Sequence, residues 1–253
     1  MKLLHIGDVV GAAGSRFLQE HLPAIKRTHK IDMIVVNGEN SAQGNGITKH
    51  SMEQIFSAGA DVITTGNHCF KRREAMAIYE NPVVLRPANY PGCPGHGVCT
   101  IDFGPCQVAV LNLSGTAYLD PLDNPFTIAE QLLEEIDTPN ILVDFHAEAT
   151  AEKKAMGYFL AGRVTAVVGT HTHVQTADET ILSEHTGYIT DVGMTGPEES
   201  ILGVAVQPAM DRFRFHYPTR FTEGSDPCFL NGVIVTFDEK CGKCTKIERL
   251  IVR

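Results

Sequence analysis

Short apolar runs and helix-like repeats alternate along the first half of the chain. Runs rich in Ile, Leu and Val occupy residues 2–6, 31–36 and 61–65, and each has the length of a buried strand. Between the first two runs, apolar residues recur every three or four positions from Phe17 to Ile25, which predicts a helix. Pro23 lies inside this repeat, so we expect the helix to kink or to restart there. Alternation of this kind favours an α/β protein.

The second half of the chain adds hairpins to this pattern. Two further buried strands are predicted at residues 140–145 and 164–170. Pairs of strand-like runs predict hairpins at residues 98–113, 181–190 and 232–252. In the second of these hairpins we place the turn near Gly187. Parallel α/β units followed by hairpins predict two sheets flanked by helices, without fixing the order of the strands.

Three further helices and two helix starts can be read from the sequence. The helices are predicted at residues 71–79, 125–136 and 203–213. Thr48 and Thr150 each precede or open a helical repeat, and their hydroxyl groups suit them to cap a helix N-terminus.

Composition and charge narrow the class of protein. The chain has 253 residues, of which 43% are hydrophobic and 20% charged, so it can bury a sizeable core, and we predict one domain spanning residues 1–253. The net charge of −9 disfavours nucleic acid and anionic membranes as partners. No apolar run reaches the roughly 20 residues that span a bilayer. Because Asp8 follows the start too soon for a signal-peptide core, we expect a cytoplasmic protein.

The cysteines do not indicate a disulfide framework, since there are seven of them and no export signal. Cys241 and Cys244 have the spacing of a zinc or redox pair. They lie between two strand-like runs, however, and no second Cys or His pair follows them. A hairpin turn with two incidental thiols is therefore favoured over a zinc knuckle.

Polar residues with metal-ligand chemistry follow the ends of five predicted strands. These residues are Asp8, Glu39, Asn40, Asn67, His68, His146, His171 and His173. Taken singly, each has an ordinary explanation as a cap, a turn residue or a hydrogen-bonded histidine, and for one residue alone we favour that explanation. Ligand clefts of open α/β sheets lie outside the carboxyl ends of the strands. Repetition at five strand ends therefore predicts one shared site.

As a set, these residues suit metal coordination. Carboxylates, amides and imidazoles are all O and N donors, and they are numerous enough for two cations with positions left for water and substrate. Two divalent cations bring four positive charges, and Asp8 with Glu39 return two negative ones. The remaining positive charge suits a phosphodiester anion. Fe or Mn fits such ligands well, with Zn as an alternative.

The motifs that carry these residues resemble those of the calcineurin-like metallophosphoesterases. Gly66-Asn67-His68, the lone His146 and Gly169-Thr170-His171-Thr172-His173 are similar to the GNH, single-histidine and GHTH motifs of that superfamily. More narrowly, residues 7–11, 37–41 and 144–150 resemble the bacterial YmdB-like phosphodiesterases. The resemblance implies an α/β fold in the form of a four-layer αββα sandwich, with two mixed sheets flanked by helices. It also implies a di-iron or di-manganese centre and a cyclic nucleotide such as cAMP as the small-molecule substrate.

The resemblance also implies a role for each residue. One metal would be held by Asp8, Asn40 and His173. The second would be held by Asn67, His146 and His171, with Glu39 bridging the two. A metal-bridging hydroxide would attack phosphorus, and His68 would act as the general acid that protonates the leaving oxygen.

Two positions depart from the broader superfamily pattern. Val10 stands where that pattern has a histidine, and Glu39 replaces the usual bridging aspartate. The resemblance to the narrower family implies that Asn40 would replace the lost ligand. Two other functions stay open: a phosphomonoesterase or nucleotidase on the same centre, and a metal-dependent regulator that binds a nucleotide without turning it over. Homo-oligomerisation through the hairpins of the second half is open as well.

Overall fold

A computed structural model describes all residues from 1 to 253. The strands, in chain order, are β1 (Lys2–Ile6), β2 (Asp8–Val9), β3 (Met33–Asn37), β4 (Val62–Thr64), β5 (Val98–Asp102), β6 (Gln107–Ser114), β7 (Ile141–His146), β8 (Ala166–Thr170), β9 (Thr180–Leu182), β10 (Thr186–Ile189), β11 (Met194–Pro197), β12 (Cys228–Asp238) and β13 (Lys243–Val252). The helices are α1 (Gly11–His29), α2 (Lys49–Ala58), α3 (Ala75–Ile78), α4 (Pro125–Glu135), α5 (Thr150–Leu160) and α6 (Val206–Phe215).

The strands form two mixed sheets. The first has the order β2-β11-β12-β1-β3-β4, and β13 pairs with β12 beside this path. In this sheet β1, β3 and β4 are parallel, whereas β12 runs antiparallel to β1. The second sheet has the order β5-β6-β7-β8-β10-β9, with a parallel centre from β6 to β10 and an antiparallel strand at each edge.

Three apolar clusters show that these sheets form the middle layers of a four-layer sandwich. Alternate side chains of a strand point to opposite faces, so Leu4 packs with the helix residue Leu18 while Leu3 faces the second sheet. Leu3 belongs to a cluster shared with Val110 and Val168 of the second sheet. A third cluster joins the far face of that sheet to Ala129, Met156 and Leu160 of α4 and α5. The αββα order predicted by resemblance is confirmed.

Several local predictions are confirmed. Thr48 caps α2, where its side chain accepts from the Ser51 N–H and the Ser51 hydroxyl accepts from the Thr48 N–H. Cys241 lies in the turn between β12 and β13, as predicted, whereas Cys244 is already part of β13, where it pairs with Phe237. No helix combines the length and apolar character that crossing a membrane requires.

Other local predictions differ from the structure. The first helix runs through Pro23 without a restart, and the alternative of a kink at that position stays a prediction. Thr150 is the first helical residue of α5, and Ala149 occupies the cap position without a side-chain bond. The turn of the β9–β10 hairpin lies at residues 183–185, since Gly187 is paired within β10. The helix predicted at residues 71–79 shortens to α3 because Arg72 is directed to the carbonyls of the loop at residues 43–45.

Candidate metal centre

The strand ends of the two sheets meet at one site. Nε2 of His146, the last residue of β7, lies 3.1 Å from Oε1 of Glu39 and 3.0 Å from Oδ1 of Asn67, which follow β3 and β4 of the other sheet. The main-chain N–H of His171 donates to Oδ2 of Asp8 at 3.0 Å, across 163 positions of sequence. The carboxyl ends of parallel strands from both sheets therefore open onto the same cleft.

The remaining predicted site residues belong to the same network. Nδ2 of Asn40 lies 3.3 Å from Nε2 of His173. Nδ1 of His68 lies 3.2 Å from Oε1 of Glu39 and 3.1 Å from Oδ1 of Asn40. The structure thus brings together every residue that the sequence singled out.

Gly66 makes room for this convergence. A Cβ atom at this position would come within 2.2 Å of the His146 ring, too close for any side chain. Gly66, two residues beyond β4, therefore lets this strand end of the first sheet approach an imidazole of the second. This requirement explains why a glycine precedes Asn67 in the motif.

The nitrogen and oxygen atoms of these side chains lie so close together that there are not enough hydrogens to form a bond between every pair. Nε2 of His146 has three neighbours at about the same distance, namely Glu39 Oε1, Asn67 Oδ1 and His171 Nδ1 at 3.0 Å. One ring N–H serves only one such neighbour well. Oδ1 of Asp8 is buried and has no hydrogen-bond partner at all. Buried lone pairs that face each other in this way suit a cation between them.

Each of the three histidines is held from outside by its other nitrogen. Nδ1 of His146 lies 2.9 Å from the Thr170 hydroxyl oxygen, which itself donates to Asp144. Nδ1 of His173 donates to the carbonyl oxygen of Leu202 at 3.1 Å. Metal-binding histidines typically carry such an outer acceptor, which fixes the tautomer and directs the other nitrogen at the metal.

His171 follows the same scheme with a carboxylate as its outer acceptor. Its Nε2 lies 2.9 Å from Oε2 of Glu148, while Nδ1 points towards His146. The inner nitrogens of the three rings, Nε2 of His146, Nδ1 of His171 and Nε2 of His173, are therefore the atoms available as ligands.

The pKa values of the site residues reflect burial and the close approach of several ionisable groups. Burial opposes ionisation of Glu39, but the neighbouring His146 outweighs it and holds the pKa of Glu39 well below its ordinary value. Burial likewise disfavours the charged ring of His146, yet Glu39 raises the pKa of His146 to about 9. Burial, reinforced by His146, lowers the pKa of His171 to about 3, so His171 is neutral and its contact with Glu148 is a hydrogen bond. Burial raises the pKa of Asp8 to about 6.

The residues present therefore fit divalent cations. They offer buried O and N donors, an unpartnered carboxylate oxygen on Asp8 and rings oriented by outer acceptors. Glu39, His146 and His171 alone place one ligand atom each within 4.8 Å of one another. A donor set without thiolates favours the harder metals over sites of the zinc-finger kind.

Sequence reasoning gave no role to Asp144, which lies in β7 two residues before His146 and accepts hydrogen bonds from the strands around the site. Its side chain accepts from the ring of His5, from Asn37 and from the hydroxyl groups of Thr64 and Thr170. Burial opposes its ionisation, but His5 and these hydrogen bonds hold the pKa of Asp144 below its ordinary value. A carboxylate inside an otherwise apolar strand was the available signal.

A second missed group anchors the loop between His171 and His173. Both histidines have left-handed backbones, with φ of 98° and 62°, a conformation that is uncommon outside glycine. Between them, the N–H and the hydroxyl of Thr172 donate to Oδ2 of Asp191 at 3.0 and 2.6 Å. The same oxygen accepts from the buried Lys153 ammonium at 2.6 Å. This ion pair holds the two histidines in their unusual conformation.

Two mixed sheets between helical layers, with this donor set at their strand ends, define the metallophosphoesterase class. The fold agrees with that of the NAD nucleotidase of Haemophilus influenzae, at a TM-score of 0.56 and 12% identity, over all of this chain and 55% of that one. That likeness concerns the fold alone.

Within this class, the chain belongs to the YmdB-like protein family, whose model matches residues 4–250. A curated relative, the 2′,3′-cyclic-nucleotide 2′-phosphodiesterase of Bacillus subtilis strain 168, is 44% identical over 256 residues, covering all of this chain and 97% of the relative. The crystal structure of a protein described as a novel phosphatase, from Mycoplasma pneumoniae, superposes with a TM-score of 0.95 at 32% identity. That match covers all of this chain and 93% of the other. The family predicted from the motifs is confirmed.

Proposed function

We propose that the protein is a metal-dependent phosphodiesterase that hydrolyses cyclic nucleotides. The observation that carries this proposal is the convergence of Glu39, Asn67 and His171 on Nε2 of the buried His146, each within 3.1 Å. Such a donor set concentrates positive charge once cations are bound, and a phosphodiester is the anion that the cleft then attracts. The relationship to a 2′,3′-cyclic-nucleotide 2′-phosphodiesterase makes 2′,3′-cyclic nucleotides the first substrates to test.

The proposed site would hold two metal ions, each with ligands from both sheets. Asp8, Asn40 and His173 would hold one ion, Asn67, His146 and His171 would hold the other, and Glu39 would contribute to both. When bound, these ions stabilise negative charge on the phosphoryl oxygens and lower the pKa of water in the site. Iron or manganese suits these ligands best.

In this proposal His68 supplies a proton to the leaving group. Its Nδ1 faces two acceptors, Oε1 of Glu39 and Oδ1 of Asn40, so Nδ1 carries a hydrogen. Asn40 has its amide oriented for this role, because its Nδ2 donates to Glu39 at 2.9 Å. The ring is one-quarter exposed, and its Nε2 forms no bond within the protein. With Nδ1 directed at these two acceptors, Nε2 is the ring nitrogen left to pass a proton to the leaving oxygen in the cleft.

In this proposal, hydrolysis of a 2′,3′-cyclic nucleotide opens the cyclic phosphate at O2′. Water adds to phosphorus, the bond between phosphorus and O2′ breaks, and O2′ takes the proton from Nε2 of His68. The product is a 3′-nucleotide, and the proton lost by water restores the acid through solvent. A general acid in this position typically accelerates hydrolysis by about 10²–10⁴-fold.

A phosphomonoesterase on the same centre is the second candidate, favoured by the 32% identical Mycoplasma protein described as a phosphatase. The test is a side-by-side assay of 2′,3′-cAMP, 3′,5′-cAMP, AMP and bis-p-nitrophenyl phosphate with protein loaded with Mn²⁺ or Fe²⁺. We expect turnover of the cyclic substrates, 2′,3′-cAMP above all, and its loss on chelation with recovery on adding metal. Faster release of phosphate from AMP favours the phosphomonoesterase. Stoichiometric binding of cyclic nucleotide without product favours a regulator and contradicts the proposal.

A further inference from the structure

The outer partners of the three histidines differ in kind. Thr170, which holds His146, is completely buried, and His173 is held by a main-chain carbonyl. His171 is held by the carboxylate of Glu148, whose side chain is half exposed. Of the three contacts, this is the one that a single surface substitution removes without opening a cavity.

Glu148 owes its position to the connection between β7 and α5. It lies two residues beyond His146 and two residues before the first residue of α5. Because β7 and β8 are parallel neighbours, with His146 paired to Thr170, this connection runs beside the start of the His171 loop. The short connection between β7 and α5 thus positions both His146, at its start, and the Glu148 carboxylate, which contacts the ring of His171.

We propose that Glu148 is a positioning residue that fixes the ring of His171 with its hydrogen on Nε2 and its lone pair on Nδ1, facing the metal. A carboxylate has no hydrogen to donate when ionised, so a contact of 2.9 Å places the hydrogen on the imidazole nitrogen. His171 needs this restraint because its left-handed backbone does not by itself select a ring orientation. The inference rests on the metal site of the proposed function.

The inference makes a specific statement about the ligand atom. His171 binds through Nδ1, whereas His146 and His173 present Nε2. An asparagine carries its amide oxygen close to the position of Nδ1, and a glutamine carries its amide oxygen close to that of Nε2. His171→Asn should therefore retain more metal affinity than His171→Gln.

The test compares Glu148→Ala and Glu148→Gln with Glu152→Gln. Glu152 lies on the first turn of α5 and accepts from the N–H groups of Thr116 and Ala117 but contacts no imidazole, so it controls for a structural carboxylate. We expect Glu148→Ala to weaken Mn²⁺ binding by about 10–100-fold in calorimetry, the range found when outer partners of metal ligands are removed. Glu148→Gln, which keeps an acceptor oxygen, should lose less, and Glu152→Gln should bind Mn²⁺ like the native protein.

A second readout does not involve metal at all. In the metal-free protein, the ¹⁵N chemical shifts of His171 should report one tautomer with hydrogen on Nε2, and Glu148→Ala should show a mixture. Native affinity for Mn²⁺ in Glu148→Ala, or an unchanged tautomer, overturns the inference while leaving the metal site intact. If the native protein itself binds no Mn²⁺, Fe²⁺ or Zn²⁺, the proposed function fails instead.

Discussion

The two sheets contribute different chemistry to the same cleft. The seven-stranded sheet supplies the carboxylates and amides, from Asp8, Glu39, Asn40 and Asn67, whereas the six-stranded sheet supplies the imidazoles of His146, His171 and His173. On the imidazole side, each ring is fixed by a hydrogen bond on the face away from the cleft. On the oxygen side, Oδ1 of Asp8 has no partner, and Glu39 faces the rings of His146 and His68.

This difference shows how the site divides its work. Imidazoles have two nitrogens and bind a metal through only one, so the fold must select the nitrogen. Carboxylates need no such selection, and they carry the negative charge that draws cations into the cleft. The hydrogen bonds on the imidazole side therefore select which ring nitrogen faces the cleft, whereas the oxygen side contributes the negative charge. The oxygen side also contains His68, which contacts Glu39 and acts as the proton donor in the proposed mechanism.

The largest expected effect comes from the acid on the oxygen side. His68→Ala should reduce turnover of 2′,3′-cAMP by about 10²–10⁴-fold while retaining its metals, because His68 donates a proton and binds no cation. With bis-p-nitrophenyl phosphate the loss should be much smaller, since p-nitrophenolate leaves without protonation. His50→Ala, which removes an exposed histidine of α2, is the control. Equal losses on both substrates would exclude the acid role.

On the imidazole side, loss of the Lys153–Asp191 ion pair should reduce the free energy of unfolding the most. Asp191→Asn removes the charge that pairs with buried Lys153, and removing one partner of a buried ion pair typically costs about 3–5 kcal/mol. Urea unfolding of the metal-free protein measures this free energy. The control is Glu248→Gln, which breaks the exposed pair with Lys246 and should cost less than about 1 kcal/mol. A cost below 1 kcal/mol for Asp191→Asn would show that the loop does not depend on this anchor.

Metal binding should release a proton from His146, because Glu39 on the oxygen side keeps that ring protonated. Because Glu39 raises the pKa of His146 to about 9, the ring is protonated at neutral pH and a cation must displace that proton. Affinity for metal should therefore increase as pH rises, by about tenfold per unit and about 100-fold between pH 6.5 and 8.5. Calorimetry in buffers of different ionisation enthalpy should record the released proton. Affinity that is constant over this range would contradict the link between Glu39 and His146.

The smallest expected effect concerns helix capping, in α2 after the oxygen side and in α5 after the imidazole side. Thr48→Ala should destabilise the protein by about 1 kcal/mol, because the Thr48 side chain accepts from the Ser51 N–H at the start of α2. Thr150→Ala should change stability by less than about 0.5 kcal/mol, since Thr150 lies inside α5 and caps nothing. Thermal or urea unfolding distinguishes them. Equal losses would mean that hydroxyl capping does not explain the difference.

How far the sequence predicts this molecule depends on the range of the contacts involved. The site residues follow apolar strands that end near glycines, a local pattern, and the network contains every one that was predicted. Asp144 and Asp191 act through partners as far away as His5 and Lys153, and neither position carries a local signal for its partner. The order of the strands was not predictable for the same reason, because β12 pairs with β1 from the far end of the chain.

Errors in the local predictions have a similar origin. Residues 71–74 have helix-forming side chains, yet Arg72 bonds to the carbonyl oxygen of Asn45 and the segment forms turns instead. The helix α1 is buried against the first sheet and continues through Pro23, where the sequence predicted a kink or a restart. In both places packing against distant residues outweighs intrinsic preference.

Anomalous X-ray diffraction from crystals of the Mn²⁺-loaded protein tests most directly whether the two sheets share one metal centre. The account predicts two adjacent anomalous peaks at the strand ends, beside Glu39, each contacted by oxygen donors of the first sheet and an imidazole of the second. Peaks bound by residues of one sheet alone, or no peak between Asp8 and His146, would contradict it.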